Sequence, residues 1–191
     1  MAAMEAYIRQ VLQARMSHQL SVPGRRLAAV LMPVYEHQDE YGVVFTKRSD
    51  KVYHHRGQIS FPGGAHEAHD VSLQDTALRE SAEEIGLQPV HVQVLGQLDD
   101  LLTSNSNYLV RPFVGIIPYP YPFVLDGYET AYLIEVPLTF LRQHNPAVQE
   151  TREHEGHVVQ SFFFDYEGHT IWGATAKILK QFLDLLDPPA S

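Results

Sequence analysis

The sequence contains no cysteine, which excludes disulfide bonds, thiolate zinc sites and cysteine nucleophiles. It is also poor in positive charge, with 14 lysines and arginines against 23 aspartates and glutamates and a formal net charge of −9 at pH 7. A nonspecific nucleic-acid-binding protein would show a basic footprint, so we expect no nucleic-acid partner. No apolar run approaches the roughly 20 residues of a membrane span, so we expect no membrane partner and a cytoplasmic location.

What the chain does have is enough length, 191 residues, to bury the core of one domain. We expect a single domain over residues 1–191, with residues 1–24 forming an N-terminal helix and lead-in. The helix is predicted because apolar side chains near its start recur at helical spacing. These are Ala6, Ile8, Val11, Leu12 and Met16.

Strand-like and helix-like segments follow one another without a strict alternation, which indicates an α/β or α+β fold with a mixed sheet. A helix is predicted between Ser72, a good N-cap, and Gly86, a residue that ends helices. Another is predicted over residues 174–186, and residues 145–155 are expected to form a polar loop. Strand-like runs occur at residues 27–35, 43–45, 59–61, 90–94, 108–117, 129–136 and, as a hairpin, 158–164 with 170–172.

Three carboxylates in the helix after Ser72 form the clearest candidate functional cluster. Glu80, Glu83 and Glu84 stand at positions i, i+3 and i+4, which are neighbours on one side of a helix. Carboxylates this close repel one another unless a cation lies among them, and Mg²⁺ in proteins is bound by a few carboxylates together with substrate phosphates. We expect them to point away from the apolar stripe of the same helix. That stripe consists of Leu78, Ala82 and Ile85.

The segment around these carboxylates resembles the Nudix box, G-x5-E-x7-R-E-U-x-E-E-x-G-U, where U is aliphatic. Residues 79–87 read Arg-Glu-Ser-Ala-Glu-Glu-Ile-Gly-Leu and match its second half except at Ser81, where an aliphatic residue is expected. Asp70 stands in the first acidic position, with one extra residue between it and Arg79. That extra residue is usual in the coenzyme A pyrophosphatase branch of the family.

The same branch carries an upstream pattern, L-L-T-x-R-S-x3-R-x3-G-x3-F-P-G-G, which the chain also resembles. It is matched by Arg48, Ser49, Gly57 and residues 61–64, and it departs at Tyr53, which replaces the second arginine. Further segments after residue 25 are similar to that branch as well. The resemblance implies a Nudix fold, a mixed β-sheet sandwiched between helices (α/β/α), and the activity of a pyrophosphohydrolase that acts on phosphorus-containing anhydrides.

The resemblance further implies a site that uses Mg²⁺ or Mn²⁺ and an attacking water molecule. Glu80 and Glu84 become the principal metal ligands, and Glu83 a further ligand or bridging partner. The turn at Gly63-Gly64 allows the backbone to approach the metal, where a carbonyl at Gly64 is a candidate ligand.

Arg79 is expected to orient the carboxylates through salt bridges, a use that its bidentate guanidinium suits. The general base is either Glu83 or Glu129, the latter lying just before a predicted strand. Both assignments stay open at this point.

Substrate identity depends on the loop that precedes the box. Arg48, Arg56 and Gln58 are candidates for contacts with phosphates, and Tyr53 either stacks on an adenine or leaves its phosphate role to Arg56. The implied substrate is coenzyme A or acyl-coenzyme A, cleaved to 3′,5′-ADP and (acyl-)4′-phosphopantetheine by a monomer or homodimer.

Two alternatives remain for the function. One is hydrolysis of another nucleotide diphosphate, such as ADP-ribose, NADH or a dinucleotide. The other is a catalytically silent Nudix module that senses a nucleotide, which is disfavoured because Glu80, Glu83 and Glu84 are all present.

Overall fold

The structure, a computed structural model, describes residues 2–51, 57–103, 106–145, 150–154 and 157–187. Its centre is a mixed sheet of eight strands, β1 to β8, and two short hairpins, β9–β10 and β11–β12, complete the β structure. The strands are β1 (Arg26–His37), β2 (Glu40–Arg48), β3 (Ile59–Ser60), β4 (Gly63–Ala65), β5 (Gln93–Gln97), β6 (Leu101–Leu102), β7 (Tyr108–Ile116), β8 (Thr130–Pro137), β9 (Glu150–His154), β10 (His157–Ser161), β11 (Phe164–Tyr166) and β12 (His169–Ile171).

Strand β1 lies in the middle of the sheet, in the order β3-β2-β1-β7-β5. It pairs in parallel with β7 and antiparallel with β2 and β4, while β8 extends the sheet beside β2. Alternate side chains of β1 enter two different cores, as the two-residue period of a strand requires. Met32 and Val34 enter one core, and Ala29, Leu31 and Tyr35 enter the other.

Helices cover both faces of this sheet. The helices are α1 (Ala2–Gln13), α2 (Leu73–Ile85), α3 (Leu138–Gln143) and α4 (Gly173–Leu186). Helix α2 packs on one face through Ala77 and Ile85, whereas α1, α3 and α4 contribute to the core on the other face. The predicted mixed sheet between helices is therefore confirmed, and so are the predicted helices after Ser72 and near the C-terminus.

Three local predictions were wrong. The run at residues 90–94 is not one strand, because Pro89 opens a 3₁₀ turn that leaves Val90 exposed before β5 begins. Residues 150–154 form β9 rather than a polar loop, and they take β10 as their partner, while β12 pairs with β11. Pro89 decided the first, because its ring fixes φ and it lacks the N–H that a strand would use. Pairing decided the other two, since β9 and β11 each pair with the strand that follows in the chain.

A separate short strand also forms where a turn was expected. Gly63 and Gly64 lie within β4, opposite Val30 and Ala29 of β1. In the described part of the chain, no helix is long and apolar enough to cross a membrane.

Candidate active site

Helix α2 carries the candidate site, and both of its ends are set by local contacts. The Ser72 side chain accepts a hydrogen bond from the Asp75 N–H at 3.2 Å, which caps the first turn. Gly86 ends the helix in the left-handed region at φ 69°. The carboxylates between these two residues are therefore held on a helix of defined length.

Glu84 lies on the buried face of α2, where the sequence pattern had placed it on the outer face. It is only 8% exposed, because it follows Ala77 by two helical turns and Ala77 packs against the sheet. Ser81, which departs from the aliphatic consensus, is fully buried on the same side and donates to the Ala77 carbonyl at 2.7 Å. The Gly63 N–H donates to Glu84 Oε2 at 3.3 Å, so the start of β4 meets this carboxylate.

Burial changes the acidity of the two inner carboxyl groups. It raises the pKa of Glu84 to about 8, opposed by the Gly63 N–H and the charge of Arg48 and reinforced by the charges of Glu80 and Glu129. Burial also raises the pKa of Glu80, although its hydrogen bond with Arg79 acts in the opposite direction. A cation bound beside these groups would oppose the effect of burial, because a nearby opposite charge favours the ionised form of a carboxyl group.

Arg79 joins the acidic groups of the box. Its Nη1 donates to Glu80 Oε1 at 2.9 Å and to Glu83 Oε2 at 3.0 Å, and its Nη2 donates to the Ala65 carbonyl at 3.1 Å. Nε and Nη2 together grip Asp70. The guanidinium therefore links α2 to β4 and to the loop between them.

Asp70 has a structural role that the sequence did not indicate. Its side chain is 2% exposed, and it accepts from Arg79, from the Thr76 hydroxyl at 2.9 Å and from the Glu67 N–H at 2.9 Å. The hydrogen bonds from Arg79 are the main cause that holds its pKa well below the usual range. Its place in the first acidic position of the box was the available signal, but its role is to hold Arg79.

Gly64 lies directly against Glu80. A Cβ atom at Gly64 would come within 2.5 Å of Glu80 Cδ, so only glycine leaves room for that carboxylate. Gly63 is even more restricted, because its φ is 152° and a Cβ would approach the Ala29 carbonyl oxygen to 2.3 Å. The two glycines let β4 pair closely with β1 while it contacts Glu80 and Glu84 of α2.

Glu129, the residue before β8, is connected to the site through Arg48. Arg48 Nη2 donates to Glu129 Oε2 at 3.1 Å, and the charge of Glu129 acts on the pKa of both Glu80 and Glu84. Its backbone carbonyl accepts from the Ser49 N–H at 2.8 Å. Arg48 and Glu129 are thus paired with each other, and the charges of both act on Glu84.

The remaining substrate-loop candidates are only partly described. The Gln58 carbonyl accepts from the Arg48 N–H at 2.9 Å, which closes the neck of the loop between β2 and β3. Tyr53 and Arg56 lie outside the described residues.

The carboxylates of the site fit a metal ion that is bound partly by the protein and partly by the substrate. Within the described residues, no three His, Asp or Glu side chains come together as a ready metal site. Glu83 is turned outward, 59% exposed, with Oε2 on Arg79. Glu80 and Glu84 remain as a pair of partly and largely buried carboxylates, which is the set that Mg²⁺ uses together with waters and substrate phosphates.

Comparison with known proteins identifies the family of this chain. The NUDIX domain family model matches residues 24–168, more than half of the chain. The chain therefore belongs to the Nudix family, and it is a Nudix hydrolase. As a family, Nudix hydrolases use divalent metal ions and act on nucleoside diphosphate derivatives.

Relatives of known sequence support the same family. The chain is 40% identical over 168 residues to a protein of Yersinia pestis (strain Pestoides F) called uncharacterized Nudix hydrolase NudL. The alignment covers 86% of this chain and 81% of that protein. A protein of the same description from Yersinia pseudotuberculosis serotype O:1b (strain IP 31758) has the same identity and coverage.

Solved structures show the same fold. A MutT/nudix family protein from Enterococcus faecalis superposes with a TM-score of 0.59 at 15% identity, covering 97% of this chain and 74% of the other. The NUDIX domain of Shewanella oneidensis NrtR complexed with ADP ribose superposes with a TM-score of 0.51 at 18% identity, covering 64% and 79%. At these identities the likeness concerns the fold alone.

Proposed function

We propose that this protein hydrolyses the pyrophosphate linkage of coenzyme A or an acyl-coenzyme A, giving 3′,5′-ADP and (acyl-)4′-phosphopantetheine. The observation that carries the hydrolytic part is the arrangement of two carboxyl groups on α2: Glu84 is buried and accepts from the Gly63 N–H, and Glu80 is held by Arg79. The coenzyme A part depends on the upstream pattern from Arg48 to Gly64 and on the extra residue between Asp70 and Arg79.

In this proposal Glu80 and Glu84 hold Mg²⁺ or Mn²⁺, with the Gly64 carbonyl as a further candidate ligand and Glu83 as an outer one. The bound metal would offset negative charge on the phosphoryl oxygens and activate the attacking water. Arg79 keeps Glu80 in place through Nη1, and the glycine turn lets substrate oxygens approach without a side chain between. In phosphoryl transfer of this kind the protein mainly positions the reacting groups and stabilises charge, and it forms no covalent bond to the substrate.

Of the two candidate bases, Glu129 is better supported than Glu83. Each is engaged by an arginine, Glu129 by Arg48 and Glu83 by Arg79. The difference is that the charge of Glu129 acts on both inner carboxyl groups, whereas that of Glu83 acts on Glu80. A general base must lie within reach of the water that it deprotonates, and that water lies beside the metal ligands. We therefore assign proton acceptance to Glu129 and a supporting role to Glu83.

Arg48 is proposed to bind a substrate phosphate. Its Nη2 is paired with Glu129, while its Nε is buried without a hydrogen-bond partner among the described residues. A phosphate is the ligand that a guanidinium fork binds best, through two parallel hydrogen bonds. Gln58, Tyr53 and Arg56 complete the proposed substrate loop, and action in the cytoplasm as a monomer or homodimer stays a prediction.

The decisive test is a substrate panel with Mg²⁺ and with Mn²⁺. Coenzyme A, acetyl-coenzyme A, ADP-ribose, NADH and a diadenosine polyphosphate are incubated separately, and the products are separated by chromatography. We expect 3′,5′-ADP from the two coenzyme A compounds and no product from the Glu84→Gln variant. Turnover of ADP-ribose with none of coenzyme A would refute the substrate, and nucleotide binding without any hydrolysis would favour the sensing module.

A further inference from the structure

The segment from Tyr121 to Asp126 is hydrogen-bonded to the C-terminal end of helix α2. The last carbonyls of a helix have no partner within the helix and must find one elsewhere. Here the Val124 N–H donates to the Ile85 carbonyl and the Asp126 N–H donates to the Glu84 carbonyl, each at 3.1 Å. The Tyr121 hydroxyl lies 3.4 Å from the Gly86 carbonyl oxygen, to which it donates.

One of these hydrogen bonds fixes the backbone of Asp126 next to that of Glu84. The hydrogen bond joins the main chain at a proposed metal ligand to the main chain three residues before the proposed base. A backbone contact of this kind fixes position more closely than a contact between two long side chains, because fewer bonds rotate between the joined atoms.

The Asp126 side chain then turns toward Glu129. Its Oδ2 accepts from the Glu129 N–H at 2.7 Å, and its Oδ1 accepts from the Thr130 N–H at 2.9 Å. Both carboxylate oxygens are thus used on two successive amides at the start of β8. Hydrogen bonds in which a carboxylate accepts are about twice as strong as neutral ones.

We propose that Asp126 is a positioning residue that holds Glu129 in register with the metal-binding face of α2. The inference rests on the proposed function, because it acts through the role of Glu129. Among the described hydrogen bonds, the Asp126 side chain contacts none of the carboxylates of Glu80, Glu83 and Glu84, so it is not a catalytic residue. Its effect is geometric: a displacement of about 1 Å at a reacting group can cost about 100-fold in rate.

The test compares Asp126→Ala and Asp126→Asn in the wild-type and Glu129→Gln backgrounds, with coenzyme A as substrate and ADP-ribose as a second substrate. Asp165→Ala is the matched control, since Asp165 is also exposed and accepts one hydrogen bond, from Thr170 in the β11–β12 hairpin. In the wild-type background we expect Asp126→Ala to lower kcat about 10- to 100-fold. KM should change less than about threefold, and Asp126→Asn, which keeps one acceptor oxygen, should fall between.

The second background separates positioning from general weakening. In Glu129→Gln the substitution Asp126→Ala should lower kcat no further, because the group that it positions has already lost its function. An equal fold-loss of kcat in both backgrounds, or unchanged kcat in Asp126→Ala, would overturn the inference while leaving the role of Glu129 intact. Should Asp126→Ala fail to fold, the same comparison is made with Asp126→Asn.

Failure of the proposed function gives a different result. If Glu129→Gln keeps wild-type kcat, Glu129 is not the base, and the positioning role falls with it. Thermal unfolding of each variant and Mn²⁺ affinity by electron paramagnetic resonance complete the set. We expect both to stay close to those of Asp165→Ala.

Discussion

Arg79 grips Asp70 with two parallel hydrogen bonds, Nε to Oδ1 at 2.8 Å and Nη2 to Oδ2 at 3.1 Å. Asp70 is nearly inaccessible to solvent, so this ion pair is fixed within the protein. The third guanidinium nitrogen, Nη1, donates to Glu80 and to Glu83. Asp70 therefore determines where Arg79 lies, and Arg79 determines where the acidic face of α2 is held.

The first prediction concerns removal of the Asp70 charge. We expect Asp70→Asn to lower the free energy of unfolding by about 3 kcal/mol, because it leaves Arg79 without its buried partner. The folded-state pKa of Asp70 is depressed, so its stabilising effect is present above about pH 4 and is lost as pH falls below that value. Urea unfolding from neutral to acid pH measures this, and the variant should lose less stability on acidification than the wild type.

The second prediction concerns Glu84 and turnover. Glu84→Gln should lower kcat by more than about 100-fold, since residues that merely support metal ligands are worth about 10- to 100-fold. Its fold should persist, because the amide keeps the volume of the carboxyl group and is uncharged, as the protonated carboxyl group is at neutral pH. Circular dichroism and thermal unfolding provide the check, and an unfolded variant would mean that Glu84 is a structural residue.

The third prediction concerns pH and metal binding. Because the metal-free pKa of Glu84 is about 8, the group holds a proton at neutral pH that a metal ion must displace. Metal affinity should therefore rise between about pH 6 and about pH 9, and the metal-induced increase in Tm should rise with it.

The metal-free protein should show the opposite trend. A raised folded-state pKa means that the folded state binds the proton more tightly than the unfolded chain, so stability falls as pH rises from about 4.5 to about 8. Calorimetric scans with and without Mn²⁺ test both trends. The variant Glu84→Gln should lose the pH dependence of each, and retention of it there would assign the effect to another group.

The fourth prediction contrasts the two glycines before the box. Gly63→Ala should destabilise the fold by about 2–3 kcal/mol or more, because its backbone angle is unfavourable for alanine and its Cβ would meet rigid backbone at Ala29 and Val30. Gly64→Ala meets only the flexible end of Glu80, so it should cost little stability and much kcat. Chemical unfolding and steady-state kinetics of the pair give the comparison, and equal losses of stability would contradict it.

The fifth prediction concerns the pair formed by Arg48 and Glu129. Arg48→Gln should weaken 3′,5′-ADP binding about tenfold, the worth of one charged hydrogen bond. Glu129→Gln should instead tighten that binding by up to about fivefold, because it frees Arg48 from a partly exposed ion pair. Isothermal titration calorimetry with the metal present measures both. Weaker binding in Glu129→Gln would show that Arg48 does not exchange Glu129 for phosphate.

Much of α2 followed from local sequence. Ser72 and Gly86 set its ends as expected, because caps act through bonds to the nearest residues of the same chain. The spacing of Glu80, Glu83 and Glu84 placed them near one another, and Arg79 does contact two of the three. Strands β1 and β2 were also predictable from their apolar runs, and the C-terminal helix was predictable from its apolar period.

Other elements differed from what their apolar pattern indicated. Val90 was expected on a strand because valines alternate there, yet Pro89 and the 3₁₀ turn direct it outward. Strand β9 has a polar sequence and exists through its pairing with β10. Propensity is a weak guide where the partner strand supplies the hydrogen bonds.

The sequence by itself determined the chemistry available on α2, since carboxylate spacing, caps and the glycine turn are properties of neighbouring residues. Only the tertiary structure decided which carboxylate is buried and which second acid reaches it. Glu84 is buried because the sheet covers the face of α2 that it shares with Ala77. Arg48 and Glu129, 81 residues apart, meet because β8 pairs with β2 and the segment before β8 docks on the end of α2. Such contacts depend on strand order and helix packing, which leave no pattern in either segment alone.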